Sequence, residues 1–300
     1  MSWKLVGHAP KGRVQAALAA HEALDDWDFE IVVTGSEVAE NRPDDWVLEA
    51  YLPRRPLKAD RAAVAALFAG KAPNLLSERL PETDWVTETQ KFVVPIRAGR
   101  FHVHTANYPA DSSPGTIDLQ IPAAQAFGTG QHATTAGCLA MLDAMKQRGV
   151  VVRNLADIGT GTGLLAFAAM RLWPGASAIA SDIDAVCEPV VVENALLNDV
   201  PLGTRRGELA MVVAEGLDDA HLAGRAPYDL LIANILAGPL VSLAGDFAEA
   251  VAPRGHLLLA GLLATQEAAV RAAYRTAGFR LAARLVMGDW SILWLRRRAV

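Results

Sequence analysis

The chain has 300 residues, of which 52% are hydrophobic and 20% are charged, and its net charge is -5. So apolar a composition excludes an intrinsically disordered chain and predicts a large buried core, and the length suits two domains. The acidic balance offers no long basic field for a phosphate backbone, although a local basic groove is still compatible with it.

Neither a membrane protein nor a secreted protein is expected. The longest apolar stretch, residues 230–244, is interrupted and falls short of the roughly 18 residues that a membrane span requires. The N-terminus lacks the apolar core of a secretory signal. Cys138 and Cys187 are far apart and form no CxxC pair, which argues against a disulfide framework or a zinc site. We therefore expect a cytoplasmic protein without a zinc site. We also expect a monomer that contains no metal.

Residues 1–80 show the pattern of a small α+β domain. Residues 45–52 alternate between apolar and polar side chains, as a half-buried strand does, and residues 61–69 carry apolar side chains at helical spacing. The elements predicted in this region are strands at 3–7, 29–34, 45–52 and 75–80 and helices at 11–24 and 61–69. Their order, βαββαβ, is that of a ferredoxin-like domain.

Residues 81–100 are polar and rich in turn-forming residues, which predicts a linker. A second domain then covers residues 101–300. It begins with two strands, 101–105 and 116–122, followed by a loop and a helix that ends near residue 148. A strand and helix alternation follows, which predicts a parallel sheet with helices on both faces. The five strands predicted in this alternation are 154–158, 177–181, 211–214, 228–233 and 256–259.

The domain closes with a predicted helix at 265–276 and two strands at 279–287 and 291–297. The three residues between these strands can join only antiparallel neighbours. A parallel sheet that ends in an antiparallel hairpin resembles the seven-stranded, Rossmann-like fold of S-adenosylmethionine-dependent methyltransferases.

The first strand of this sheet ends in a glycine-rich turn. Gly159, Gly161 and Gly163 permit a tight turn and close approach of the backbone to a ligand. A dinucleotide-binding fingerprint would need glycine or alanine where Leu164 stands, so the oxidoreductase interpretation loses its main support. Alone, the turn is also compatible with an ordinary strand-to-helix connection. Asp157, just before the glycines, is placed to contact an amino group of a cofactor.

Two polar side chains end other strands of the sheet. Asp182 ends the second strand, where a carboxylate can accept both hydroxyls of a ribose. Asn234 ends the fourth strand inside an apolar run, and its amide either bonds to nearby backbone or faces a ligand. The second interpretation is favoured, because open α/β sheets bind ligands at the carboxyl ends of their strands. An amide oxygen there can orient an amine toward a methyl donor.

The loop before the first helix of the sheet domain reads AFGTGQHATT, residues 126–135. Its glycines make it flexible, His132 is able to bond a substrate, and Thr135 is able to cap the helix or bond a cofactor. By itself the segment predicts only the start of a helix.

Together, FGTGQHATT, DIGTGTG, SDID and ANILAGPL, in this order and at these separations, resemble the PrmA family, the methyltransferases of large-subunit ribosomal protein L-eleven. The resemblance covers nearly the whole chain and includes the segment AGLL at 260–263. The chain departs from the family at Gln131 and Ala133, beside the loop histidine, and at Thr160 and Thr162 in the glycine turn.

The resemblance implies that the small domain holds the ribosomal protein and that the large domain binds S-adenosylmethionine. Transfer to lysine side chains or the α-amine of that protein is then expected, with no direct need for nucleic acid. The expected catalytic residues are Asn234 and His132. The expected cofactor-binding residues are Phe127, Gly128, Thr135, Asp157, Gly159, Gly161, Asp182 and Asn234.

Two other functions stay open. A methyltransferase of this fold could act on a different protein, a nucleic acid or a small-molecule amine, but a small substrate would not need an extra domain of about 80 residues. A binding protein without chemistry is disfavoured by the intact Asn234.

Three further features of the sequence lie outside the predicted cofactor site. His102 and His104 share one face of a strand, but no obvious third ligand accompanies them, so a metal site is not expected. The basic segment 296–298 is interpreted as a solvated strand end. An acidic cluster at 25–30 is expected to attract a basic protein substrate.

Overall fold

The computed structural model describes residues 3–22, 24, 27, 31–38, 44–79, 94–122 and 131–299. The chain forms two compact units, Met1–Trp85 and Val86–Val300. The predicted linker 81–100 and the acidic cluster at 25–30 lie largely or wholly outside the described residues. The predicted boundaries of the domains therefore stay predictions.

The first unit contains one antiparallel sheet with two helices. Its strands run in the order β2-β3-β1-β4, and its core includes the fully buried Leu5, Val14, Leu48 and Val64. The predicted ferredoxin-like arrangement is thus confirmed. The elements are β1 (Trp3–Pro10), α1 (Lys11–Glu22), β2 (Val32–Glu37), β3 (Asp45–Leu52), α2 (Lys58–Ala66) and β4 (Leu76–Arg79).

A three-stranded sheet opens the second unit. Its strands are β5 (Ile96–Ala98), β6 (Phe101–His104) and β7 (Ile117–Gln120), with β6 antiparallel to β5 and parallel to β7. Strand β5 falls within the segment that the sequence predicts as a linker. Ile96 and Ala98 are buried while Arg97 between them is exposed, so only two side chains mark this strand as part of a core.

The large sheet has seven strands in the order β10-β9-β8-β11-β12-β14-β13. All neighbours are parallel except those of β14, which runs antiparallel to β12 and β13. The predicted methyltransferase fold is therefore confirmed. The strands are β8 (Asn154–Ile158), β9 (Ser177–Asp182), β10 (Leu209–Val213), β11 (Tyr228–Asn234), β12 (Val251–Leu263), β13 (Phe279–Met287) and β14 (Trp290–Arg297).

Strand β12 begins five residues before the predicted start at residue 256. Val251 pairs with Tyr228 of β11, and the register shifts before His256 pairs with Leu230. Arg254, with a φ of 65°, lies within this irregular segment. Residues 253–255 are a proline, an arginine and a glycine. Because proline and glycine are uncommon within strands, the sequence pattern does not predict that the strand starts before residue 256.

Helices cover both faces of the large sheet. One apolar cluster packs α3, α4 and α5 on one face, and a second packs α6 to α9 on the other. These helices are α3 (Gln131–Gln147), α4 (Leu164–Leu172), α5 (Cys187–Leu197), α6 (Ala220–Arg225), α7 (Ala237–Ser242), α8 (Ala244–Ala250) and α9 (Glu267–Thr276). Among the described residues, no helix is both long and apolar enough to cross a membrane.

Candidate active site

The carboxyl ends of three adjacent strands form one rim of the large sheet. Ile158 of β8 pairs with Ala233 of β11 on one side and with Ser181 of β9 on the other. Because the strands are parallel, the next residues along each chain segment, Gly159, Asn234 and Asp182, lie side by side at this rim. The structure thus brings together three residues that the sequence predicts as site residues.

The glycine turn, residues 159–163, has the geometry that only glycine adopts readily. Gly159, Gly161 and Gly163 have φ values of 69°, 57° and 84°. A Cβ at Gly159 would lie 2.3 Å from Cγ2 of Ile235, and one at Gly163 would lie 2.5 Å from Cζ of Phe167. A Cβ at Gly161 would meet no atom of the described residues within 4 Å. The backbone at Gly161 therefore borders open space that a ligand can fill.

Asp182 is fixed by backbone donors of two segments. The Gly161 amide donates to Oδ2 over 2.9 Å, and the Asp184 amide donates to Oδ1 over 3.1 Å. The side chain lies at the end of β9 and is half-buried. Each carboxylate oxygen can accept more than one hydrogen bond, so both oxygens retain capacity for ligand hydroxyls.

Asp157 bonds to the glycine turn and to the helix that follows it. It is buried, and its Oδ2 accepts the Thr160 hydroxyl over 2.7 Å and the Ala166 amide over 3.1 Å. Burial raises the pKa of Asp157 to about 7, and the nearby Asp182 carboxylate adds to this rise. The carboxyl group thus ties the turn to α4, whereas its predicted contact with a cofactor amino group stays a prediction.

The Asn234 amide is half-buried at the rim. Among the described residues it makes no side-chain hydrogen bond, so the alternative interpretation, an amide bonded to nearby backbone, finds no support. A half-buried amide without a protein partner bonds to water or to a ligand. Among the described residues, nothing occupies the donor or the acceptor of Asn234, so a ligand at the rim can bind both.

Gly261 shapes the same part of the rim, and sequence reasoning did not select it as a site residue. Asn234 pairs with Ala260 of β12, and Gly261 follows with a φ of 83°. A Cβ at Gly261 would lie 2.3 Å from the carbonyl oxygen of Ile235. Glycine is thus required for the backbone after Asn234 to approach β12. The segment AGLL was the only signal for it in the sequence.

The loop residues are described only in part. Phe127 and Gly128 lie outside the described residues, and of His132 only its backbone position in α3 is described. Thr135 is buried in the first turns of the same helix. The predicted roles of these four residues stay predictions.

The expectation that His102 and His104 have no third partner is wrong. Parallel pairing of β6 and β7 places Asp118 directly opposite His102. Oδ1 of Asp118 lies 2.6 Å from Nδ1 of His102, and Oδ2 lies 3.0 Å from Nε2 of His104. The Asp111 amide also donates to Oδ1 over 2.8 Å. The three side chains thus form a largely buried cluster in which one nitrogen or oxygen atom from each lies within 4.8 Å of the others, close enough to hold a metal ion, so the expected absence of a metal stays a prediction.

Comparisons with known proteins agree with the fold. Residues 14–298 match the family model of ribosomal protein L11 methyltransferase, PrmA. The chain is 37% identical over 271 residues to a ribosomal protein L11 methyltransferase of Agrobacterium fabrum, covering 89% of this chain and 90% of that one. It is 40% identical over 246 residues to that of Sinorhizobium fredii, covering 81% of each.

A crystal structure of a ribosomal protein L11 methylase from Lactobacillus delbrueckii subsp. bulgaricus is also similar. Its TM-score is 0.57 at 25% identity, and the match covers 69% of this chain and 99% of that chain. Family model, relatives and fold agree, and this chain belongs to the ribosomal protein L11 methyltransferase family.

Proposed function

We propose that this chain transfers methyl groups from S-adenosylmethionine to amino groups of ribosomal protein L11, on lysine side chains or the α-amine. The observation that carries the proposal is the row formed by Gly159, Asp182 and Asn234, in which the Asn234 amide has no partner among the described residues. The names of the relatives support ribosomal protein L11 as the substrate over a different amine.

The residues at the rim fit an adenosyl ligand. The open space beside Gly161 lets the backbone approach it, and the free lone pairs of Asp182 suit ribose hydroxyls. When bound, S-adenosylmethionine supplies a methyl group on a positively charged sulfur. Phe127, Gly128 and Thr135 are proposed to complete this binding site from the loop side.

The protein's main task in methyl transfer is alignment, because the reaction is an in-line displacement. The acceptor amine must be neutral, although lysine ordinarily titrates near ~10.4. A closed, poorly solvated cleft lowers that value, and the proton leaves to water. In the proposal, Oδ1 of Asn234 accepts an N–H of the neutral amine and directs its lone pair, while His132 contacts the substrate from the start of α3.

The ferredoxin-like domain, residues 1–80, is proposed to bind the protein substrate, with 81–100 as linker and 101–300 as catalytic domain. The small domain has ten Lys and Arg and twelve Asp and Glu, so attraction of a basic protein depends on local clusters such as residues 25–30. Such attraction mainly raises the association rate. We further propose that the enzyme is a cytoplasmic monomer and that methyl transfer does not require nucleic acid.

Mass spectrometry of purified ribosomal protein L11 after incubation with the enzyme and S-adenosylmethionine tests the proposal. We expect a mass increase of one methylene unit for each methyl transferred, and a far slower increase with the Asn234→Ala variant. An unmodified L11 in the presence of an enzyme that binds the cofactor would contradict the proposed substrate.

A truncated chain that starts near Pro81 tests the role of the small domain. It is expected to bind S-adenosylmethionine, because every described cofactor residue lies beyond residue 130, but to methylate L11 poorly. Thermal melting of the truncated chain checks that it is folded. Undiminished methylation of L11 by a folded truncated chain would exclude the docking role.

A further inference from the structure

A pocket lies at the end of the large sheet opposite the candidate active site. It has a volume of about 380 Å³ and is formed by α9, the start of β13 and the end of β14. His256, where β12 continues beside β11, pairs with Arg296, whereas Asn234 at the rim pairs with Ala260. The pocket lies beyond the former pair, so it is separate from the residues at the rim.

Four exposed arginines line this pocket, which we call the arginine pocket: Arg271, Arg275, Arg280 and Arg298. Of these four arginines, only Arg271 makes an ion pair with a described residue, and its Nη1 lies 3.1 Å from Oε1 of Glu267. Three guanidinium groups therefore face the pocket without a carboxylate partner in the described part of the chain.

The charge around the arginine pocket is opposite in sign to that of the whole chain. Residues 267–300 contain seven arginines and only two acidic residues, which gives this segment a net charge of +5 in a chain of net charge -5. Scattered solubilising charges would not concentrate one sign at one end of the sheet. Residues 267–300 thus form a local basic region, although the net charge of the whole chain is negative.

The arginines of the pocket project from regular secondary structure that packs on buried aromatic rings. Arg271 and Arg275 are one helical turn apart on α9, and so lie on one face of the helix. Gly278, with a φ of 91°, turns the chain into β13, and its carbonyl accepts the Arg298 amide over 3.0 Å. Below them, the rings of Tyr274 and Phe279 are buried and lie 5.8 Å apart between centroids.

Protection of an edge strand explains only part of this arrangement. Strand β13 ends the sheet, and charged residues on such a strand discourage pairing with another chain. That role accounts for Arg280. It does not account for Arg275 on the helix or Arg298 beyond the end of β14, which line the same pocket.

We propose that the arginine pocket binds phosphate groups, either those of an RNA strand or those of a free phosphate anion. Guanidinium groups bind phosphate oxygens through paired hydrogen bonds, which gives both charge neutralisation and fixed geometry. Several unpaired arginines around one cavity match a ligand with more than one negative charge. The site is independent of the proposed methyl transfer.

Binding by the full-length protein tests the proposal with two probes. One is a labelled oligouridylate of about 20 nucleotides at about 50 mM salt, followed by fluorescence anisotropy. The other is inorganic pyrophosphate, followed by calorimetry. The variant Arg275→Gln/Arg280→Gln removes two guanidinium groups from the pocket. The control Arg153→Gln/Arg205→Gln removes the same charge from two exposed arginines that do not line it.

The pocket variant is expected to bind at least one probe more weakly, by about tenfold for each lost contact, while the control changes little. For RNA, the slope of log affinity against log salt should become shallower by about 0.7 for each lost contact. Loss confined to pyrophosphate identifies a small anion as the source, and loss confined to oligouridylate identifies a polynucleotide.

Two results would overturn the proposal: neither probe binds the native protein, or both variants lose the same affinity. Methylation of free ribosomal protein L11 is expected to be unchanged in both variants, because none of these arginines lies at the rim. Thermal melting checks that both variants are folded.

Discussion

The backbone amide of Gly161 donates a hydrogen bond to Oδ2 of Asp182 over 2.9 Å. The glycine turn after β8 and the end of β9 are thereby joined directly. The amides of Gly159 and Thr160 reinforce the connection, because both donate to the carbonyl of Ser181 at 2.8 and 2.9 Å. Asp182 thus fixes the turn, and we propose that its remaining lone pairs accept ligand hydroxyls.

Replacing Asp182 is expected to weaken binding of S-adenosylmethionine. Asp182→Ala removes hydrogen bonds to a charged group, worth about 1.5 to 3 kcal/mol each, so affinity should fall by at least about tenfold. Asp182→Asn keeps one acceptor and should have an intermediate effect. Calorimetry measures both, with Glu193→Ala, an exposed carboxylate on α5, as the control. An unchanged affinity of Asp182→Ala would remove this residue from the site.

Asn234→Ala is expected to reduce kcat by about 100-fold or more while thermal stability stays nearly unchanged, because the amide has no protein partner among the described residues. Asn198→Ala provides the contrast. Its amide donates to the Gln120 and Asn194 carbonyls at 2.8 Å each, and its oxygen accepts the Gln120 amide over 2.8 Å. That variant should lose stability first. A large fall in Tm for Asn234→Ala would indicate a structural role instead.

The buried Asp157 is expected to make stability depend on pH. Its pKa is about 7 in the folded protein and about 3.9 in an unfolded chain. Between these values the folded protein retains a proton that the unfolded chain has lost, so its contribution to stability falls as pH rises. Asp157→Asn should remove this pH dependence. The Tm of the variant minus the Tm of the native protein should therefore rise by several degrees between pH 4 and pH 8.

Melting curves of both proteins from about pH 4 to pH 8 measure the difference between their Tm values. Taking this difference cancels the titration of the other groups, because both proteins contain them. Parallel curves would show that Asp157 is ionised in the folded protein over the whole range.

Gly261→Ala is expected to be much more harmful than another substitution at a left-handed glycine. Gly115 has a φ of 86°, close to the 83° of Gly261, but a Cβ there meets no atom of the described part of the chain within 4 Å. Gly115→Ala should therefore cost only the ~1–2 kcal/mol of backbone strain. Gly261→Ala adds a clash with the Ile235 carbonyl, about 1–3 kcal/mol more, next to Asn234. Chemical denaturation measures both, and equal losses would contradict the close approach at Gly261.

The sequence by itself determined features that depend on near neighbours in the chain. The period of two in β3, the glycines at 159–163 and the short link between β13 and β14 each specify local conformation, because turns and strand faces follow from adjacent residues. The alternation of strands and helices then left few arrangements of the large sheet, since connections between parallel strands have a fixed hand. The positions of Asp182 and Asn234 at strand ends followed from that order.

Only the tertiary structure decided which distant residues meet. Asp118 lies opposite His102 through the register of β6 and β7, and Gly261 approaches Ile235 through the register of β11 and β12. The arginine pocket joins α9, β13 and β14 in the same way. Register between strands far apart in the chain depends on packing over both faces of the sheet, which no local pattern contains.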